Sequence, residues 1–122
     1  MRVLIVESDA AVRTPLAEQL VAAGFDVIEA GTGDDALQYL GHTSLDVLFT
    51  NTELPGRNSG WELARIFRNN DPALVVLYAT SDFQSQPAVE GSLFVSKPYT
   101  PAQAVWGIKG LGWARSSRAE TA

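Results

Sequence analysis

The sequence predicts an α/β domain: a five-stranded parallel sheet wound with helices on both faces. Three observations predict it. Aliphatic runs stand at Val3 to Val6, Val47 to Phe49, Leu74 to Leu77 and Leu93 to Val95, without the polar alternation of a half-exposed strand. Segments of helical length and spacing separate these runs, so strands and helices alternate. The chain has 122 residues, 46% of them apolar, which suits one ordinary core and leaves no room for a second domain.

Each element follows in order. Val3 to Val6 is the first strand, and four aliphatic residues before Glu7 are too few for a signal-peptide core or a membrane span. Asp9 is a good N-cap for a first helix whose apolar face carries Val12, Leu16, Leu20 and Val21, with Gly24 ending it. Asp26 to Ala30 is a weaker second strand, β-branched residues flanked by acids. Gly33 to Gly41 is a short helix with acids in its first turn, and Leu45 opens the third strand. Glu53 to Gly60 is a turn rich in Pro and Gly, followed by an amphipathic helix over Trp61 to Arg68 that Asn69 to Pro72 stops. Asp82 to Gly91 contains Pro87 and few apolar residues, so a fourth helix there is short or irregular. Thr100-Pro101 pairs a cap with Pro at the first helical position and opens a last helix running to about Trp113. Residues 114–122 lack large apolar side chains and read as a frayed polar tail, leaving 1–113 as the domain. Five such units with right-handed crossovers give a flavodoxin-like, doubly wound sheet of order 2-1-3-4-5 with five helices.

Composition excludes several functions. Fourteen acids against nine bases give a net charge of −5, which argues against gripping nucleic acid or an anionic membrane. With no Cys, there is no disulfide scaffold, thiolate zinc site or thiol nucleophile.

In this topology chemistry belongs at the carboxyl ends of the strands. The residues placed there are Glu7, Ser8 and Asp9; Asn51, Thr52 and Glu53; Thr80 and Ser81; and Lys97-Pro98. Acids, a hydroxyl and a lysine facing one another across a rim suit a divalent cation and a phosphoryl group.

Val3-Leu4-Ile5-Val6-Glu7-Ser8-Asp9, Asp46 to Gly56, Ala79-Thr80-Ser81 and Phe94-Val95-Ser96-Lys97-Pro98-Tyr99, in that order and spacing, resemble the response-regulator receiver domain of two-component signalling. The resemblance covers residues 1 to about 113. It implies an acidic pair that holds Mg²⁺ at the places of Glu7 and Ser8, a phosphoacceptor aspartate at the place of Asn51, and a metal-binding carbonyl at Glu53. It further implies that Thr80 and Lys97 meet the phosphoryl oxygens, that Phe94 is the switch aromatic, and that Pro98 follows a cis bond.

Two of those places depart from the pattern. Ser8 and Asn51 each remove a carboxylate, so Mg²⁺ binding at Glu7, Ser8 and Glu53 is expected to be weak or lost, and no cofactor is expected. An amide is not an acyl-phosphate-forming nucleophile. Lys97 is expected to hydrogen-bond the Asn51 carbonyl, holding one conformation without an ion. Deamidation of Asn51 would regenerate an acid, but the branched Thr52 follows it and hinders ring closure. The hydroxyls of Ser8, Thr50 and Thr52 lack a general base, Asp46 lies at the wrong end of its strand, and His42 is a loop residue without an acid partner.

On the last helix Ala104, Ile108 and Leu111 form the core side, which turns Trp106, Lys109 and Trp113 outward as an interface. Gly107, Gly110 and Gly112 weaken that helix by roughly 1 kcal/mol each, so packing by a partner would compensate. Trp61 belongs at the core edge, and Tyr99 beside the switch surface as a further interface residue. The expected protein is a stand-alone receiver-like module of a bacterial phosphorelay in the cytoplasm. It is not an enzyme and not phosphorylated at Asn51, and it docks with a histidine kinase or phosphotransfer protein, or pairs with itself through the last helix. Two alternatives stand beside it: a Mg²⁺-dependent receiver that uses another acceptor, and a flavodoxin-like small-ligand binder. The second lacks a Gly-rich phosphate loop, since Glu7-Ser8-Asp9-Ala10 follows the first strand.

Overall fold

In the computed structural model, which describes residues 1–81 and 88–110, five parallel strands lie in the order β2-β1-β3-β4-β5. The elements are β1 (Arg2–Val6), α1 (Ala10–Ala22), β2 (Asp26–Ala30), α2 (Gly33–Leu37), β3 (Val47–Asn51), α3 (Gly60–Asn70), β4 (Val75–Thr80) and β5 (Leu93–Ser96). A further helix, α4, is described over residues 101–110. β1 pairs with β2 and β3 in register, Val6 opposite Ala30 and Thr50, so the strand ends form one rim.

Alternate side chains of the central strands enter two cores. Leu4, Val6, Leu48, Val76 and Tyr78 pack with Leu63 and Phe67 of α3. Val3, Ile5, Val47, Phe49 and Leu77 pack on the opposite face with Leu16 and Leu20 of α1 and Ala104 and Ile108 of α4. The aliphatic runs are unbroken because β1 and β3 are covered on both sides.

The helix starts are set by capping. Asp9, Thr32 and Ser59 each accept a backbone N–H in the first turn of α1, α2 and α3. Thr100 and Gln103 exchange hydrogen bonds at the head of α4, its Oγ1 accepting from Gln103 N–H and its own N–H donating to Gln103 Oε1.

Several sequence expectations need correction. Four helices, not five, are described. The fourth helix expected over 82–91 falls partly outside the described residues, and 88–92 is non-helical. The second helix stops at Leu37 and gives way to turns, in which the N–H groups of Gln38, Tyr39 and Leu40 bond to carbonyls three residues back. Leu45 and Asp46 precede β3 instead of opening it; the Asp46 carboxylate accepts the Arg2 backbone N–H at 2.8 Å. Val21 is 60% exposed and lies off the apolar face of α1. β5 is a sheet edge, so Leu93 and Phe94 are exposed despite sitting in an apolar run. The polar tail, Leu111 and Trp113 lie outside the described residues.

Candidate functional site

The ends of β1, β3 and β5 border a cleft of about 570 Å³, with Glu7, Asn51, Lys97 and Tyr99 in its lining. Glu7 is only 4% exposed and Asn51 6%, unusual depth for an acid and an amide. The two are partners. Asn51 Nδ2 donates to Glu7 Oε2 at 3.3 Å and Oε1 at 3.5 Å. Glu7 Oε2 also accepts from the Asp9 backbone N–H at 3.1 Å and from Ser8 Oγ at 3.5 Å. On the other side of the amide, Asn51 Oδ1 accepts the Glu53 backbone N–H at 3.2 Å. The strand ends therefore share one circuit of hydrogen bonds running from the start of α1, through β1 and β3, into the loop after β3.

Lys97 lines the same cleft, but among the described residues neither a hydrogen bond nor an ion pair joins it to Asn51 or Glu7. The expected Lys97–Asn51 contact is not made: the amide oxygen accepts from the Glu53 N–H and the amide nitrogen donates to Glu7. The Lys97 backbone N–H donates to the Thr80 carbonyl at 3.0 Å, which ties the β5 end to buried Thr80. The bond that follows, Lys97–Pro98, is cis. Glu53 is exposed, and no group of three or more His, Cys, Asp or Glu suited to a metal occurs among the described residues.

Tyr99 is half-buried. Its ring meets Phe49 edge-on at 5.6 Å, and its buried hydroxyl has no hydrogen-bond partner. Burial, seconded by the charge of Glu7, holds the phenol well above its ordinary range and keeps it protonated. Phe94, 37% exposed, stacks on Tyr78 at 5.4 Å, and Trp61 tilts against the same ring at 4.5 Å, at the core edge as expected. Trp106 is 81% exposed and Lys109 is exposed, while Ala104 and Ile108 are buried, so the described part of α4 has the predicted register. Trp106 also borders a groove with Val95, Pro98 and Ala102.

Two positioning residues escaped sequence reading. Arg13 reaches from α1 to donate to the Glu7 carbonyl at 2.6 Å and pairs with Glu29 at 3.2 Å. Gly60 brings the head of α3 against β3; an added Cβ would lie 2.0 Å from the Asn51 carbonyl oxygen. In the sequence Arg13 resembles any solvated helix residue, and Gly60 resembles a turn glycine. Only the closeness of the backbones distinguishes it.

A family model described as the response regulator receiver domain matches residues 3–106. The chain belongs to that family. This receiver domain is 34% identical over 104 residues to the transcriptional regulatory protein PhoP of Escherichia coli K12, covering 81% of this chain and 46% of the relative. It is 27% identical over 113 residues to the sensory transduction protein RegX3 of Mycolicibacterium smegmatis, covering 89% and 49%. The chain thus spans about half the length of these curated relatives. Among solved structures, a response regulator receiver protein from Sinorhizobium medicae superposes with a TM-score of 0.85 at 26% identity, covering 94% of this chain and 96% of that one. A putative response regulator from Chloroflexus aurantiacus gives 0.77 at 29%, covering 91% and 96%. Receiver domains as a class work with histidine kinases or phosphotransfer proteins. Among the described residues no helix is long and apolar enough to cross a membrane.

Proposed function

We propose that this receiver domain is a protein-interaction module of a cytoplasmic two-component pathway that works without phosphorylation at the usual strand-three position. The observation that carries the reading is Asn51 at the end of β3, where the family resemblance calls for the acceptor aspartate. Its amide nitrogen is delocalised into the carbonyl, and both ends of the group are engaged by Glu7 and the Glu53 N–H. The succinimide route back to an acid is also hindered. The Thr52 N–H, which would have to close a succinimide ring on Asn51, donates instead to the Ala79 carbonyl at 3.1 Å.

The donor set also argues against Mg²⁺, which takes about six oxygens in strict octahedral order. Glu7 is the single buried acid among the described residues, Ser8 stands in the place of the second, and an N–H group of Asn51 points at the oxygens a cation would need. The module does no catalysis in this reading and needs no cofactor. It acts by docking with a histidine kinase or phosphotransfer protein, or with a second copy, using the α4 face that displays Trp106 and Lys109.

The test is the intact mass after incubation with acetyl phosphate and Mg²⁺, beside an Asn51→Asp variant. The unaltered chain is expected to stay at its starting mass, and the variant to gain one phosphoryl group. A stoichiometric gain on the unaltered chain would overturn the reading and make another side chain the acceptor.

A further inference from the structure

The Glu7–Asn51 pair does more than leave out an acceptor. Both carboxylate oxygens of a nearly inaccessible Glu7 receive the same Nδ2 group, at 3.3 and 3.5 Å, while the Oδ1 of that amide is held by the Glu53 N–H. A buried carboxylate is tolerated only with such donors around it, since an uncompensated one is costly. Where acids face each other at the ends of two neighbouring strands, a cation, a hydrogen-bond donor or a shared proton has to relieve their repulsion. Here the positive end of an amide dipole takes that role and is covalently part of β3.

We infer that the Asn51 amide is a built-in substitute for a bound divalent cation, anchoring Glu7 to the β3 end and holding the rim in one arrangement whatever the metal concentration. This rests on the geometry of the pair rather than on what the domain docks with. It extends the reading above from a site that does not accept phosphate to a rim whose fold is independent of metal. The remaining groups agree with it. Asp9 N–H and Ser8 Oγ add donors to Glu7 Oε2, and the Arg13 guanidinium fixes the Glu7 backbone from the other side. Among the described residues Lys97 makes no bond to the pair, so the amide is the side-chain link that joins Glu7 to the β3 end beyond the paired backbones.

Thermal unfolding of the full chain in EDTA and in 10 mM MgCl₂ tests this, and it needs neither a phosphodonor nor a partner. The unaltered chain is expected to melt at the same temperature in both. Asn51→Asp places a second carboxylate against Glu7; it is expected to melt about 5 °C or more lower in EDTA and to regain much of that loss with Mg²⁺. The double variant Glu7→Gln with Asn51→Asp reverses the polarity of the pair, amide on β1 and acid on β3. It is expected to recover stability in EDTA and to lose the Mg²⁺ response, which keeps the test decisive even if Asn51→Asp alone is too unstable to fold without metal.

Three results would overturn the inference: a Mg²⁺-dependent rise in the unaltered chain, an Asn51→Asp variant as stable in EDTA as its parent, or a double variant no better than the single one. The second would mean that Lys97 neutralises the new acid without help. A phosphoryl gain in the mass experiment, with the melting results as expected, would remove the proposed function and leave this inference in place.

Discussion

Gly60 is the residue at which the site tolerates least. Its N–H donates to the Thr52 carbonyl at 2.9 Å, and a methyl group on its Cα would fall 2.0 Å from the Asn51 carbonyl oxygen and 2.8 Å from Thr52 Cα. All of these neighbours are backbone, so relief requires moving either α3 or the end of β3. Gly60→Ala is expected to cost about 1–3 kcal/mol or more, the range of overpacking in a closed core. Denaturant unfolding would read that loss, and a change below about 0.5 kcal/mol would show that α3 can slide freely. At this scale sequence and structure part company over Lys97. Residue types alone suggested a lysine-to-amide contact, but the backbone of the following loop turns the Glu53 N–H onto Asn51 Oδ1 first.

The elements show where packing overrides local preference. α1 runs unbroken through Pro15, which removes a helix hydrogen bond at a cost of about 3 kcal/mol in an isolated helix. Full burial of Leu16 and Leu20 against the sheet compensates. α4 makes the opposite case. An added Cβ at Gly107 would meet Leu77 and Val95 at 3.7 and 4.0 Å, ordinary contact, so packing on the sheet does not require this helix-weakening glycine. Trp106 on the outer side covers nothing that needs it, being 81% exposed. Trp106→Ser is therefore expected to change stability by no more than about 0.5 kcal/mol, the usual range for surface positions. In a pull-down, or in sedimentation of the chain alone, the same variant is expected to lose the partner or the self-association. Unchanged binding would remove the α4 face from the proposed function.

For the molecule as a whole, the phenols of Tyr78 and Tyr99 lower stability at alkaline pH. Tyr78 is held above its ordinary value by burial, opposed by the N–H of Val89 and the charge of Arg68; Tyr99 is held well above its own by burial and by Glu7. Both folded values exceed the unfolded one, so the contribution is complete below about pH 10 and is lost as pH rises beyond it, when the unfolded chain ionises first. Stability measured between pH 8 and 11 is expected to be level and then to fall. Tyr99→Phe deletes a buried hydroxyl that has no partner. The variant is expected to be as stable as the parent at pH 7 or more so, by up to about 1 kcal/mol, and to fall less steeply above pH 10. A variant much weaker at pH 7 would mean that the hydroxyl has an acceptor after all.

The sequence by itself determined the α/β class, the strand order, the caps at Asp9 and Thr100, and the rim on which Glu7, Asn51, Thr80 and Lys97 gather. These follow from hydrophobic period and turn chemistry, which are local, and from crossover handedness, which leaves few topologies. Tertiary structure decided the rest. It decided that Asn51 pairs with Glu7, that Tyr99 turns into the cleft, that Arg13 and Gly60 position the site, and that β5 exposes an apolar run. Each of these depends on which groups from distant parts of the chain come within a few ångströms. A residue's type fixes what it is able to bond, but only the packed backbone fixes which partner reaches it first.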